Sequence, residues 1–327
     1  MDLKALTTVY SYRHPETRAV IDGLLRDGFP HEVFLRATHP PGYLDGFHEP
    51  ILERVLDFHR QAAPALGGFA HRYPTSGSEE GIREVMTRLQ SEGCERIYVF
   101  EGEYEGYAAV AEQRCMQTVS VPRSADPRSL EPGYWFLSNP SAVDGNILPD
   151  ELVASICEAS HELFYDLAYL DSTRAHRFDL SHPKIFAAVI SFSKTYGLFY
   201  DRVGFTFSRE PVPSLYGNKW FKSLFGLLIA DAIVTRLAPR QIHARYGPIQ
   251  AEIAAELRAR HDLPLRPSDT FLLAHIRADD ARALSPEQRE RIAAFRRGQG
   301  YRFCLTPYFV DRDAEACELL GRGGKES

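Results

Sequence analysis

One lysine in this sequence stands where a lysine is costly. An apolar, β-branched run from Ile185 to Phe192 predicts a buried strand, and Lys194 follows where that strand ends. Gly197 and Gly204 punctuate the loop beyond it, and Phe205-Thr-Phe-Ser resumes an extended pattern. An ammonium held there loses hydration, so the neutral, nucleophilic amine is favoured. Ser191 and Ser193 supply hydroxyls, and Arg202 supplies a planar fork eight residues after the lysine. Those groups suit a phosphate beside an imine-forming amine. A second costly group is Asp166, in the apolar run from Leu163 to Tyr169. A carboxylate at the end of a buried strand needs a cation to pair with. A third feature is Ser76-Gly-Ser78 at the start of a helix expected from about 79 to 90. Free N–H groups and the helix dipole suit an anion there, although an ordinary serine cap has the same appearance.

Strand and helix signals alternate around these residues. Strands are expected at 96–100, 118–121, 134–137, 163–169 and 185–192, and helices at about 16–26, 50–62 and 79–90. That order predicts an α/β fold with a mostly parallel sheet and covering helices. Further on, Tyr216 to Leu237 reads as one long apolar helix, 250–260 as helix, and Ser285 to Gly298 as helix. Gly300 to Phe309 then reads as a strand carrying Arg302.

The chain has 327 residues, 44% hydrophobic and 25% charged, which is ordinary for a globular protein with a sizeable core. A net charge of −6 with interspersed signs gives no basic stripe, so nucleic acid is not an expected partner. No apolar run is long enough to span a membrane, and Met1-Asp-Leu-Lys4 has no signal-peptide core. Five scattered cysteines without a C-x-x-C pair read as reduced thiols of a cytoplasmic protein. Twelve histidines show neither H-x-x-x-H nor H-E-x-x-H, so no metal site is expected.

The pattern S-x-S-K-x-x-G-L-x-x-x-R-x-G over Ser191–Gly204 resembles the lysine motif of fold-type I pyridoxal-phosphate enzymes, especially the class I/II aminotransferases. The resemblance extends over roughly 43–310 and rests on the 163–169 and 191–204 segments together. It implies pyridoxal 5'-phosphate as cofactor, Lys194 as the catalytic, imine-forming lysine, and Ser191, Ser193 and Arg202 beside the phosphate. Tyr73 to Ile82 resembles the family's phosphate-cup loop and assigns Ser76, Gly77 and Ser78 to the same phosphate. D-x-A-Y makes Asp166 the partner of the pyridine nitrogen and Tyr169 a donor to the phenolic oxygen. The loop 101–107 resembles P-x-Y-x-x-Y, with Gly102 for the proline, and sets Tyr104 to stack on the ring. Ser138–Gly145 resembles the NPNNPTG segment, whose asparagine bonds the phenolic oxygen. Aligned by column it falls on Ala142; aligned by distance to the next motif it falls on Asn139, 27 residues before Asp166, which is the assignment taken. Arg302 is expected to bind the substrate α-carboxylate as a fork. Tyr43 is expected to reach the neighbouring subunit's phosphate, which makes a homodimer with shared sites.

The implied fold is a large domain over about 43–235. A small domain combines 1–42 with 236–327. The implied reaction is amino transfer from an L-amino acid to a 2-oxo acid. The same parts also serve a lyase or cyclase, and a non-catalytic cofactor-binding protein is a lesser alternative. A short N-terminal arm, the altered Asn139-Pro-Ser-Ala-Val-Asp-Gly segment and a compact small domain depart from housekeeping transaminases, and a place in specialised metabolism is expected. Asn218-Lys-Trp-Phe-Lys-Ser-Leu resembles capreomycidine-synthase-like enzymes, without fixing a substrate. No G-x-G-x-x-G follows the first strand, which argues against a dinucleotide-dependent dehydrogenase.

Overall fold

A computed structural model describes residues 3–9, 11–26, 47–220 and 223–323. Helices α1 (Pro15–Arg26) and α2 (Glu49–Phe58) precede the first strand. Seven strands follow: β1 (His71–Thr75), β2 (Arg96–Phe100), β3 (Gln117–Val121), β4 (Tyr134–Ser138), β5 (Glu162–Leu167), β6 (Ile185–Ser191) and β7 (Gly204–Ser208). Helices α3 (Ser78–Ser91), α4 (Glu105–Gln113) and α5 (Asp150–Glu158) lie between them. The strands form one sheet in the order β1-β7-β6-β5-β4-β2-β3. Neighbours from β6 through β3 are parallel, and β7 runs antiparallel to both β6 and β1. The expected mostly parallel sheet is therefore present.

Both faces of this sheet are covered, which explains the near-continuous apolar strands. Side chains alternate between two clusters. Leu163, Tyr165 and Leu167 of β5 join one, with Trp135, Leu137, Ala188 and Ile190. Phe164 joins the other, with Phe136, Ala187 and Val189. Each fully buried large aliphatic or aromatic residue contributes about 1.5–3 kcal/mol. The polar residues that interrupt these strands stand at their C-terminal ends, where α/β sheets bind ligands: Ser138 on β4, Asp166 on β5 and Ser191 on β6.

Helices α6 (Leu224–Arg236) and α7 (Gln241–His261) lead to a second, four-stranded antiparallel sheet. Its strands β8 (Arg266–Pro267), β9 (Leu273–Ile276), β10 (Arg296–Arg297) and β11 (Gly300–Cys304) take the order β10-β11-β9-β8. Two short helices, α8 (Ala278–Arg282) and α9 (Pro286–Arg291), separate β9 from β10, and α10 (Thr306–Gly323) closes the described chain. The N-terminal segment joins this second unit through a bridge between Leu6 and Cys304, whereas α1 and α2 pack on α6.

Three local readings change. β1 has no counterpart among the expected strands because Pro74 stands in it; it pairs only with β7, and an edge strand tolerates a missing N–H. The single helix expected over 216–237 is a 3-10 turn, Pro213–Lys219, followed by α6, whose start is fixed by Ser223 Oγ accepting from Gly226 N–H at 3.2 Å. The helix expected over 285–298 stops at Arg291. The chain then folds into the β10–β11 hairpin through Gly298 (φ 53°), and Phe295 stacks on Phe303 at 4.5 Å.

α3 lies directly on β6 and β7. A Cβ at Gly81 would collide with Thr206 Oγ1 and sit 2.7 Å from Val189 Cγ1. Gly81→Val is therefore expected to lower the unfolding free energy by about 2 kcal/mol through overpacking. Gly67→Ala, with nothing within 4 Å of the added carbon, is expected to leave the urea midpoint nearly unchanged.

Candidate active site

Lys194 lies in the turn after β6, half-buried. Its Nζ donates to the Val9 carbonyl and lies 5.8 Å from the centre of the Phe199 ring. Burial lowers its pKa to about 8; Arg302 and Arg202 add to the lowering, while Cys304 and Asp166 oppose it. The turn is clamped from behind. Thr195 Oγ1 donates to Leu170 O at 2.7 Å, and Tyr196 OH donates to Asp171 Oδ2 at 3.0 Å. Gly197 (φ 66°) lies against the Tyr12 carbonyl, where no side chain would fit.

Arg202 gathers the groups around this turn. Its Nη2 donates to Ser76 O at 2.9 Å, and its Nη1 to Phe199 O at 3.2 Å and Ser193 Oγ at 3.4 Å. Ser191 Oγ accepts from Ser193 N–H at 3.1 Å. Gly77 (φ 78°) precedes α3, which opens on Ser78. A Cβ at Gly77 would meet Arg202 Nη2 at 2.8 Å, and one at Gly204 would meet Gly77 Cα at 2.9 Å. The start of α3, the turn after β6 and the start of β7 thus converge at a separation that only glycine permits. Two neighbours were not legible beforehand. Glu80 accepts from Ser76 N–H, and Asn218 Nδ2 donates to Glu80 at 3.2 Å and to Pro74 O at 3.1 Å.

Asp166 is buried at the end of β5. Tyr107 OH donates to its Oδ2 and Ala168 N–H to its Oδ1, both at 2.8 Å. Burial raises its pKa to about 7 although those two bonds oppose the rise. No cationic side chain pairs with it among the described residues. Tyr104 stands edge-on to Tyr107, ring centres 5.4 Å apart, and its hydroxyl donates to Glu79 at 2.8 Å. Tyr107 was overlooked in the sequence although the Y-x-x-Y spacing contains it.

Arg302 comes to the site from the second sheet, opposite His275 in the β9–β11 pairing. It is 4% exposed. Its Nη1 donates to Ala142 O and its Nη2 to Thr7 O at 3.0 Å, and its Nε is buried without a partner. It has no carboxylate partner among the described residues, and burial lowers its pKa. Tyr169 is buried nearby; burial raises its pKa while the Arg302 charge opposes the rise.

The Asn139 backbone N–H donates to Asp166 O at 2.9 Å, but its side chain is not directed to this group. Its Nδ2 donates to Tyr165 OH at 2.6 Å and its Oδ1 accepts from Leu148 N–H at 3.0 Å, so both ends of the amide are engaged in the core. Ala142, the other alignment position, presents only its carbonyl to Arg302. Tyr43 lies outside the described residues. Glu103, in the turn-rich loop 101–107 and not singled out in the sequence, is buried and accepts from Ser138 Oγ at 2.6 and 2.8 Å.

The residues present fit pyridoxal phosphate. Asp166 lacks a cation, Arg302 lacks an anion, and a glycine-lined cradle adjoins a partly neutral amine. A stability test follows from Asp166. Its folded pKa of about 7 lies above the ordinary 3.8, so the folded state holds a proton that the unfolded chain releases. In cofactor-free protein, stability from this group is present at low pH and is lost as pH rises from about 4 through 7. Asp166→Asn is expected to flatten that fall, which thermal melts between pH 5 and 8 would show.

The family model "Aminotransferase class I and II" matches residues 72–244, a span that holds every site residue named except Tyr43 and Arg302. An aromatic amino acid aminotransferase of Streptomyces avermitilis is 24% identical over 258 residues, covering 67% of this chain and 70% of that protein. Among solved structures, histidinol-phosphate aminotransferase from Sinorhizobium meliloti in complex with pyridoxal-5'-phosphate superposes with a TM-score of 0.64 at 19% identity, over 90% of this chain and 84% of that one. L-threonine-O-3-phosphate decarboxylase from Porphyromonas gingivalis gives 0.65 at 15%, over 95% and 100%. The pyridoxal-phosphate-bound C-S lyase from Staphylococcus hominis gives 0.68 at 11%, over 91% and 86%. At these identities the structures share the fold and leave the reaction open. The family match covers more than half of the chain, which therefore belongs to the class I and II aminotransferases, transferases that depend on pyridoxal 5'-phosphate.

Proposed function

We propose that this protein transfers the amino group of an L-amino acid to a 2-oxo acid. The observation that carries the reading is the meeting of three incomplete charges: the Lys194 amine, the Asp166 carboxylate without a cation and the Arg302 guanidinium without a carboxylate. When bound, pyridoxal phosphate supplies an aldehyde that takes up the amino group and a ring that withdraws electrons from the bonds at Cα. Asp166, oriented by Tyr107 and the Ala168 N–H, supplies the negative charge for the ring nitrogen. Ser76, Gly77, Ser78, Ser191, Ser193 and Arg202 hold the phosphate, and Tyr104 and Tyr169 bound the ring. Arg302 exchanges two carbonyl partners for the substrate carboxylate, a stronger, charge-assisted fork. That fixes which Cα bond faces Lys194. With a pKa near 8, Lys194 is partly neutral at physiological pH and can take the Cα proton as a base.

We further read 43–235 as the large domain and the remainder as the small one, in a homodimer whose Tyr43 serves the neighbouring site. Exposed Phe199 and Tyr200 in the phosphate-holding turn support contact with a second copy. Cys94, Cys115 and Cys157 form no disulfide among the described residues, which suits a cytoplasmic location. No helix among the described residues is long and apolar enough to cross a membrane. A role in specialised metabolism remains part of this proposal, supported by the altered Asn139-Pro-Ser-Ala-Val-Asp-Gly segment.

The half-reaction tests the reaction class. Enzyme mixed with an amino acid and no oxo-acid acceptor is expected to release one equivalent of oxo acid per site and stop until an oxo acid is added. Continued turnover without an acceptor would establish the lyase or cyclase alternative. Release of nothing by the cofactor-loaded protein across a panel of L-amino acids would leave the non-catalytic one.

A further inference from the structure

Glu103 is buried at the loop between β2 and α4, and everything that touches its carboxylate is a donor. Ser138 Oγ lies 2.6 and 2.8 Å from its two oxygens, Tyr104 N–H donates at 2.9 Å, and Ser141 Oγ lies 3.5 Å away. Such a set fits an ionised acceptor. Ser138 stands directly opposite Asp166 in the β4–β5 pairing, so Glu103 is a single hydroxyl from the strand position facing Asp166. The same Ser138 Oγ accepts from Ala142 N–H at 2.6 Å, and Ala142 O receives Arg302. Through Ser138, Glu103 is therefore linked to both ends of the site, the strand position opposite the ring-nitrogen partner and the turn that receives the substrate fork.

We propose that Glu103 is a positioning residue of this active site: its carboxylate supplies a second negative charge beside Asp166, and its bond to Ser138 fixes the turn that Arg302 docks on. The inference rests on the pyridoxal-phosphate reading above. Burial raises the Glu103 pKa, while the Ser138 hydroxyl, the Tyr104 N–H and the Arg123 charge from beyond β3 oppose that rise and favour the ionised form; Asp166, Tyr107 and Tyr169 also face it. Arg123 also donates to Ser141 Oγ and to Asp144 at 2.9 Å, so the turn is held from a second side and the carboxylate stays within reach of a cation. A negative charge near a protonated nitrogen favours the protonated form. Removing it should make the bound cofactor give up its proton at lower pH.

The test compares native holoenzyme with Glu103→Gln, which keeps the size and an acceptor but loses the charge. The pH titration of the bound cofactor's visible absorption should move down by about one unit in the variant. KM for the carboxylate substrate should change little, because the Ser138 bond survives. An unmoved titration overturns the inference. If the glutamine protein does not fold, Glu103→Asp carries the test. The charge is kept, so the titration should stay at its native position, while the shortened arm releases Ser138 and KM rises several-fold. A native KM in that variant overturns the positioning role. A native protein with no visible band to titrate after addition of pyridoxal phosphate would sink the cofactor reading instead.

Discussion

The structure depends on a buried carboxyl that lacks a counter-ion. Asp166 is buried at the end of a central strand, its hydrogen bonds come from a neutral phenol and an amide, and no side-chain cation answers it among the described residues. An ion removed from water without a counter-ion costs several kcal/mol even after the protein relaxes. A fold keeps such a group when a ligand completes it. Arg302 is the complementary case, a buried guanidinium that settles for carbonyls. Between the two, Lys194 has lost enough hydration to titrate near 8. One ligand with a cationic ring nitrogen and one substrate with a carboxylate satisfy both groups at once.

The sheet explains how these groups can be held so close. Parallel strands covered on both faces must be apolar along their length, and polar residues can interrupt them only where they emerge. Ser138, Asp166 and Ser191 all stand at such ends, on three adjacent strands. The phosphate cradle is a matter of sterics. Gly77 and Gly204 let two backbones and the Arg202 guanidinium approach where any Cβ would intrude. The rear of the Lys194 turn is closed by Leu170, Asp171 and Tyr12, and the amine itself donates to the Val9 carbonyl.

What could be read from the sequence was local. Lys194, Gly197, Arg202 and Gly204 lie within eleven consecutive positions, and their resemblance to the family's lysine motif implies a phosphate held beside the amine. Asp166 was legible because a carboxylate in an apolar run demands an explanation. Contacts made across the chain were not. Glu103 sits in an acidic, glycine-containing loop that looks solvated, and its burial depends on Ser138, 35 positions away. Asn139 could be assigned by spacing but not by side-chain direction, which Tyr165 and Leu148 decide. β1 was hidden by Pro74, which only its edge position excuses. The helix boundaries at 224 and 291 were set by a serine cap and by a hairpin, both weaker signals than the apolar periodicity running through them.

The most direct measurement is reduction of the cofactor-loaded protein with borohydride, followed by peptide mass mapping. The account requires a pyridoxyl label on Lys194, in the peptide that also carries Ser191 and Ser193 upstream of Arg202. A label on any other lysine, or none after incubation with pyridoxal phosphate, would contradict it.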